Sequence, residues 1–205
     1  ALRQKRLKLL IAYSTVAQIG YLFLMFPLAA GLAALQLPTA TAVTGGMLQA
    51  ISHATAKAAM FMGAGLIYAT LGHDRIADLQ GIVRQLPMTM LAFALGGVSL
   101  VGLPPSGGFL AKWLLLSAAL TTGQWWWVVV MLLGGLLTSC YVFIVLMRAM
   151  VAVDVPLTPK MAVPRSREAV VLTLAAVAFL LGLAALLPVD VVQIGRPQPF
   201  GGGLP

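Results

Sequence analysis

Charged residues are scarce in this chain, and carboxylates are scarcest. Of 205 residues only 9% are Asp, Glu, Lys or Arg, and the acidic ones number five: Asp74, Asp78, Asp154, Glu168 and Asp190. Soluble domains carry roughly a quarter charged residues, which excludes a water-solvated globule. The lone cysteine, Cys140, sits in an apolar run, excluding an internal disulfide framework or a cysteine-based metal site. The chain lacks an iron–sulfur cysteine set, a flavin fingerprint and a dinucleotide-binding glycine motif. His53 and His73 are its only histidines, and only His53 falls within an apolar span, so a suitably placed pair of axial haem ligands is not expected. No cofactor and no redox site are expected. A net charge of +8 raises nucleic acid as a partner, but basic and aromatic recognition elements are not clustered, and none is expected.

What the chain has in excess is apolar length, with 60% hydrophobic residues. Five spans approach or exceed the ~20 residues a helix needs to cross a ~30 Å hydrocarbon core. They run from Leu7 to Leu28, Thr44 to Leu71, Pro87 to Thr121 with an interruption, Trp125 to Met147, and Ala169 to Leu187. The expected fold is all-α: a polytopic transmembrane helix bundle of five spans, the third discontinuous. Residues 1–190 form the membrane domain, and 191–205, without apolar period, a flexible tail. The segment from Arg148 to Arg167, with Pro156, Pro159 and Pro164, is expected to be a semi-rigid connector.

Basic residues sort to one side of these crossings. Arg3, Lys5, Arg6 and Lys8 precede the first span, Arg75 and Arg84 follow the second, and Arg148, Lys160, Arg165 and Arg167 follow the fourth. By the positive-inside rule the amino terminus is cytoplasmic and the carboxyl terminus outside, in a bacterial inner or cell membrane. Trp125, Trp126 and Trp127 then fall where an outer aromatic belt is expected.

Two lysines escape this sorting. Lys57 lies near the middle of the second span, with His53 and then Gln49 at one-turn intervals on the same face. A charged lysine at that depth costs about 2.5 to 3.5 kcal/mol on insertion scales, so such residues face a wet or protein-lined interior. Histidine exchanges protons near neutrality; alternatively, His53 simply hydrogen-bonds a neighbouring helix. Lys112 follows "GLPPSGG", where Pro104 and Pro105 cannot donate and Gly107 and Gly108 weaken a helix, so a break is expected from Pro104 to Gly108. Broken helices within a bilayer line cavities and mark transport sites. A surface loop with Lys112 snorkelling outward is the competing reading. The "GAG" at Gly63 to Gly65 reads as close helix packing.

These segments resemble one membrane family. "RLKLLIAYSTVAQIGYLF", "SHATAKAAMFMGAG" and "GLPPSGGFLAKW" occur in order, continuing through "LLTSCYVF". They are similar to the antiporter-like subunits of respiratory complex I, Mrp-type cation/proton antiporters and membrane-bound hydrogenases. The resemblance implies a bundle of about fourteen helices in two inverted repeats, of which this chain matches the carboxyl-terminal five. It implies a proton-translocating subunit of a larger assembly, with other membrane subunits and the lipid bilayer as partners. Lys112 matches the broken-helix ionisable position, glutamate in some members, and His53 and Lys57 match the His/Lys pair of the preceding helix. A relay from Lys57 and His53 to Lys112 and an outward half-channel is the implied mechanism. Tyr13, Ser14, Gln18, Gln49, Ser52 and Ser106 are candidates to hold bridging water, although the hydroxyls serve equally as helix–helix glue. Protons are the expected cargo; Na+ is possible, but no carboxylate cluster within the spans offers hard oxygen ligands. The alternative is a non-conducting structural or assembly subunit that anchors partners.

Overall fold

The computed structural model describes residues 1–152 and 159–183. The helices are α1 Leu7–Phe23, α2 Met25–Ala34, α3 Ala40–Leu71, α4 Ile82–Gln85, α5 Pro87–Val101, α6 Gly107–Thr121, α7 Trp125–Met150 and α8 Arg165–Leu180, with a 3-10 turn at Ile76–Asp78. No strand occurs among the described residues; a single antiparallel bridge joins Arg6 and Arg75.

Three helical stretches are long and apolar enough to cross a membrane: Leu7–Ala34, Ala40–Leu71 and Trp125–Met150. The first is the α1–α2 pair. Proline has no N–H for the carbonyl four residues back, and Pro27 stands four residues after Phe23, where α1 ends. Leu24 stays in the right-handed helical region, so α2 continues the run. At 1.5 Å per residue α3 spans roughly 48 Å, well beyond the hydrocarbon core. It ends at Gly72, whose φ of 78° suits a glycine cap and whose N–H reaches the Tyr68 carbonyl at 2.7 Å.

The third expected span consists of two short apolar helices, α5 and α6, set one after the other along α3. Gly96 lets α5 lie against Met60 and the Ala56 carbonyl. Gly45 of α3 takes Leu114, Leu115 and the Ala111 carbonyl of α6 at similarly close range. α8 packs along α5 and α3, and α7 closes the other side, with Val142 against Gly97.

The helical interruption covers residues 102–106, which corrects the expected limits. Gly107 and Gly108 are the first residues of α6 rather than part of the break. Their missing side chains permit that position: a Cβ on Gly108 would strike the Ser99 carbonyl, and one on Gly107 would press on Leu181 and the Ser52 hydroxyl. α3 starts four residues earlier than expected, α7 ends at Met150, and α8 starts at Arg165. Asp154, Pro156, the last residues of the expected fifth span, Asp190 and the expected tail at 191–205 lie outside the described residues.

Buried apolar side chains form two main clusters with a polar layer between them. One gathers Leu7, Ile11, Met60, Ile67, Phe93 and Val145 near the basic end of the bundle. The other gathers Tyr21, Leu28, Leu32, Leu115 and Met131 toward the opposite end. Ser14, Gln18, Gln49, Ser52, Lys57, Ser99 and Thr138 are buried at intermediate heights on α1, α3, α5 and α7. Water is absent from a bilayer interior, so groups placed there must satisfy one another.

Candidate functional site

Lys57 projects from α3 into α1 and is only 6% exposed. Its ammonium donates to the Ile11 carbonyl at 2.7 Å and to the Ser14 hydroxyl. Ser14 in turn donates to the same carbonyl at 2.9 Å, leaving its oxygen lone pairs toward the lysine. Among the described residues no carboxylate pairs with this ammonium. Its charge is held by dipoles alone.

Lys112 is positioned by the break. α5 stops because Gly102 takes φ 85° and returns its N–H to Val98 at 3.0 Å. The last carbonyls of a helix lack intrahelical donors. Lys112, in the second turn of α6, supplies them by donating to Leu100 at 2.7 Å and Val101 at 2.9 Å. A cation at a helix C-terminus also complements the helix dipole, by about 0.3 to 1 kcal/mol when exposed and up to about 2 when partly buried. The Tyr21 ring lies 5.0 Å from the ammonium, and Tyr21 seats its hydroxyl against Gly134 and donates to the Met131 carbonyl at 3.4 Å. Ser106 caps α6, accepting from the Phe109 N–H at 3.2 Å while donating to Leu103 at 2.6 Å.

Side chains of α1, α3 and α7 lie between the two lysines. Gln18 donates to the Leu100 carbonyl at 3.1 Å, the same oxygen that Lys112 holds, and reaches Thr138 Oγ1 at 3.5 Å. Its own side-chain oxygen accepts from Gln49 at 2.9 Å. The buried Tyr141 hydroxyl faces Ser14, Gln18 and Thr138 without a well-formed hydrogen bond. The polar path therefore has two hydrogen-bonded segments, Lys57 to Ser14 and Gln49 through Gln18 and the Leu100 carbonyl to Lys112, with the Tyr141 hydroxyl standing between them. A side branch pairs the Ser52 and Ser99 hydroxyls at 2.9 Å.

The sequence profile of the NADH:quinone oxidoreductase/Mrp antiporter transmembrane family matches residues 1–138. The chain belongs to this antiporter family. NADH-quinone oxidoreductase subunit N of Desulforudis audaxviator is 35% identical over 149 residues, 73% of this chain and 28% of that protein. Formate hydrogenlyase subunit 3 of Escherichia coli is 33% identical over 119 residues, 56% of this chain and 19% of that protein. In the Mrp complex of Dietzia sp. DQ12-45-1b one chain superposes with a TM-score of 0.82 at 22% identity, covering 93% of this chain and 42% of that one. That likeness is one of fold. The chain spans less than a third of the length of the first two relatives.

Set within the antiporter-family fold, the residues singled out in sequence divide into groups. Ser14, Gln18, Gln49, Lys57 and Lys112 line one polar layer, Lys57 bonded to Ser14 and Gln49 to Gln18, which shares the Leu100 carbonyl with Lys112. Ser52 is beside it, paired with Ser99. His53 is half-buried on α3 within electrostatic range of both lysines, yet neither ring nitrogen has a hydrogen-bond partner among the described residues. Tyr13 is 54% exposed and does not enter the layer, while Ser106 spends its hydroxyl on the helix cap. Sequence reasoning missed Tyr141 and Thr138, which sit in an apolar run, and Gly102, whose "GLPP" context was a usable signal. It also missed the Leu100 carbonyl, which no side-chain pattern reveals. The described residues contain no cluster of His, Cys, Asp or Glu able to hold a metal ion.

Proposed function

We propose that this chain is the carboxyl-terminal part of a proton-translocating subunit, working with other membrane subunits in an assembly of the complex I or Mrp type. In this reading five crossings, the third broken, place the basic end in the cytoplasm and form part of one of two inverted repeats. The observation that carries the proposal is the buried polar layer between Lys57 and Lys112, in which Gln18 and Lys112 share one backbone oxygen. A structural role needs each lysine to be satisfied; it does not need Lys112 to share its acceptor with Gln18, one helical turn from Lys57's partner Ser14.

A proton leaving Lys57 is carried by water held at Ser14, Tyr141 and Gln18 toward Lys112; the Leu100 carbonyl, which accepts from both Gln18 and Lys112, fixes those side chains and does not itself carry the proton. Water beside the unpartnered His53 nitrogens and the free Gln49 oxygen offers a parallel step. Amide side chains orient such water rather than carry charge. Two ammonium groups in one low-dielectric layer repel, so arrival at one favours release at the other. Release follows the cavity of about 320 Å³ beside Lys112, bounded by Phe109, Trp113 and Met131. Na+ is a weaker candidate because the path contains amines, amides and hydroxyls but no carboxylate.

The test is proton flux in proteoliposomes containing the full-length subunit in its assembly. Lys57→Ala and Lys112→Ala should each abolish coupled pumping while assembly persists. Normal pumping in both would leave the non-conducting anchoring role as the better account.

A further inference from the structure

A second polar site lies far from the lysine path, where α1 begins and α3 and α7 end. A cavity of about 990 Å³ opens there, lined among others by Lys5, Arg6, Arg75, Arg148, Tyr68 and Ile144. We infer that it binds the phosphodiester headgroup of an anionic phospholipid. Four cations face one lining carboxylate, Asp74, and that carboxylate is committed: Arg6 Nε donates to it at 2.9 Å and the Lys8 N–H at 3.3 Å. Lys5, Arg75 and Arg148 make no ion pair among the described residues. A fifth cation, Lys160, lays its side chain against Gly72 on the same wall, tethered by its N–H to the Thr70 carbonyl at 2.8 Å.

The depth of the cavity favours a lipid over a soluble anion. It sits at the ends of the apolar helices, the level at which headgroups meet protein. One turn deeper on each wall stands an exposed apolar side chain, Tyr68 four residues before Gly72 and Ile144 four before Arg148. Lys8 lies 4.3 Å from the Tyr68 ring, adding charge at the rim. Cations above and apolar side chains below match a phosphate above and an acyl chain below. The backbone of the site is fixed: Ile76 N–H reaches the Lys5 carbonyl at 2.9 Å, and Leu7 N–H reaches Asp74 at 2.7 Å.

The full-length protein in its assembly, placed in phosphatidylcholine nanodiscs with or without phosphatidylglycerol, provides the test, read by native mass spectrometry of retained lipid. The wild type should retain phosphatidylglycerol selectively. Lys5→Gln should weaken retention about fivefold, and Arg75→Ala with Arg148→Ala about twenty-five-fold. Arg3→Ala, exposed and outside the cavity, should change nothing. Lys5→Gln leaves the Arg6–Asp74 pair in place and serves if the double variant fails to fold. Equal loss in Arg3→Ala would mean a diffuse surface field and overturn the site. Displacement of lipid by inorganic phosphate would assign a soluble anion, and cross-linking of Arg148→Cys to an acidic segment of another subunit in place of lipid would assign a protein partner; either overturns the proposal.

Discussion

Gly102→Ala tests whether backbone geometry holds Lys112 in place. The residue has φ 85°, and a Cβ there would stand 2.7 Å from Lys112 Cδ. Forcing an L-residue into the left-handed region costs about 1 to 2 kcal/mol. The methyl group also displaces the lysine from two carbonyls, and a hydrogen bond to a charged group is worth about 1.5 to 3 kcal/mol, part of which other acceptors recover. The combined loss should be about 2 to 4 kcal/mol. Thermal unfolding of the full-length subunit in detergent measures the stability, and proteoliposome flux measures the function. Gly20→Ala is the control: it lies within α1 with nothing within 4 Å of its added Cβ, and should stabilise by about 0.5 to 1 kcal/mol. Wild-type stability and wild-type flux in Gly102→Ala would refute the idea that the positive-φ turn positions the lysine.

Gln18→Leu should cost about 1 to 3 kcal/mol, because it strands the buried Gln49 amide, and should slow flux without removing either lysine; wild-type flux would take Gln18 out of the path. Burial tends to raise the Asp74 carboxyl's affinity for a proton, but bonds from Arg6 and the Lys8 N–H outweigh it and leave the group below its ordinary range. A depressed folded-state value means stability is fully present above the unfolded aspartate value of about 4 and is lost as pH falls through the folded one. Acid unfolding of Asp74→Asn should therefore lack that limb, and an unchanged acid profile would contradict the assignment. Glu168→Ala should destabilise by about 1 to 3 kcal/mol, since Thr89 loses the acceptor of both its N–H and its hydroxyl, and Glu168→Gln, which keeps an acceptor oxygen, by less. Equal melting of these two variants would show that the hydrogen bonds are not what Glu168 contributes.

Sequence-based reasoning succeeds where the physics is local. Scarce charge and long apolar runs announce a bilayer protein, and the paired prolines at 104 and 105 announce an interruption because they remove donors wherever they stand. Lys57 and Lys112 are conspicuous because ammonium groups are costly in apolar runs. Pro27 carried a readable signal too, yet its effect on Phe23 is lost when Leu7 to Leu28 is treated as one span. What stays hidden is pairing between distant segments. Tyr141 and Thr138 look like ordinary hydroxyls in "LLTSCYVF" until α7 packs on α1. Glu168 looks like a solvated helix start, yet it is buried at 3% exposure because Thr89, 79 residues away, offers it two donors.

That carboxylate makes α5 unusual. Glu168, from α8, binds the amide of the third residue of α5, and Lys112, from α6, binds carbonyls at its far end. A helix carries roughly half a positive charge at its N-terminus and half a negative charge at its C-terminus, so both ends face complementary charges supplied by other helices. Under the proposed relay only one of these charges comes and goes. Deprotonation of Lys112 removes the cation from the C-terminal carbonyls while Glu168 still grips the N-terminus, so any adjustment falls on the break at 102–106. Gln18 holds the same Leu100 oxygen and feels that adjustment directly, and its neighbours Tyr141 and Ser14 lead to Lys57. Because coupling between two sites is reciprocal, the charge on Lys57 must bias the end of α5 by the same free energy. A break placed elsewhere along α5 would part Lys112 from the acceptor it shares with Gln18, and charge at one lysine would reach the other only through space.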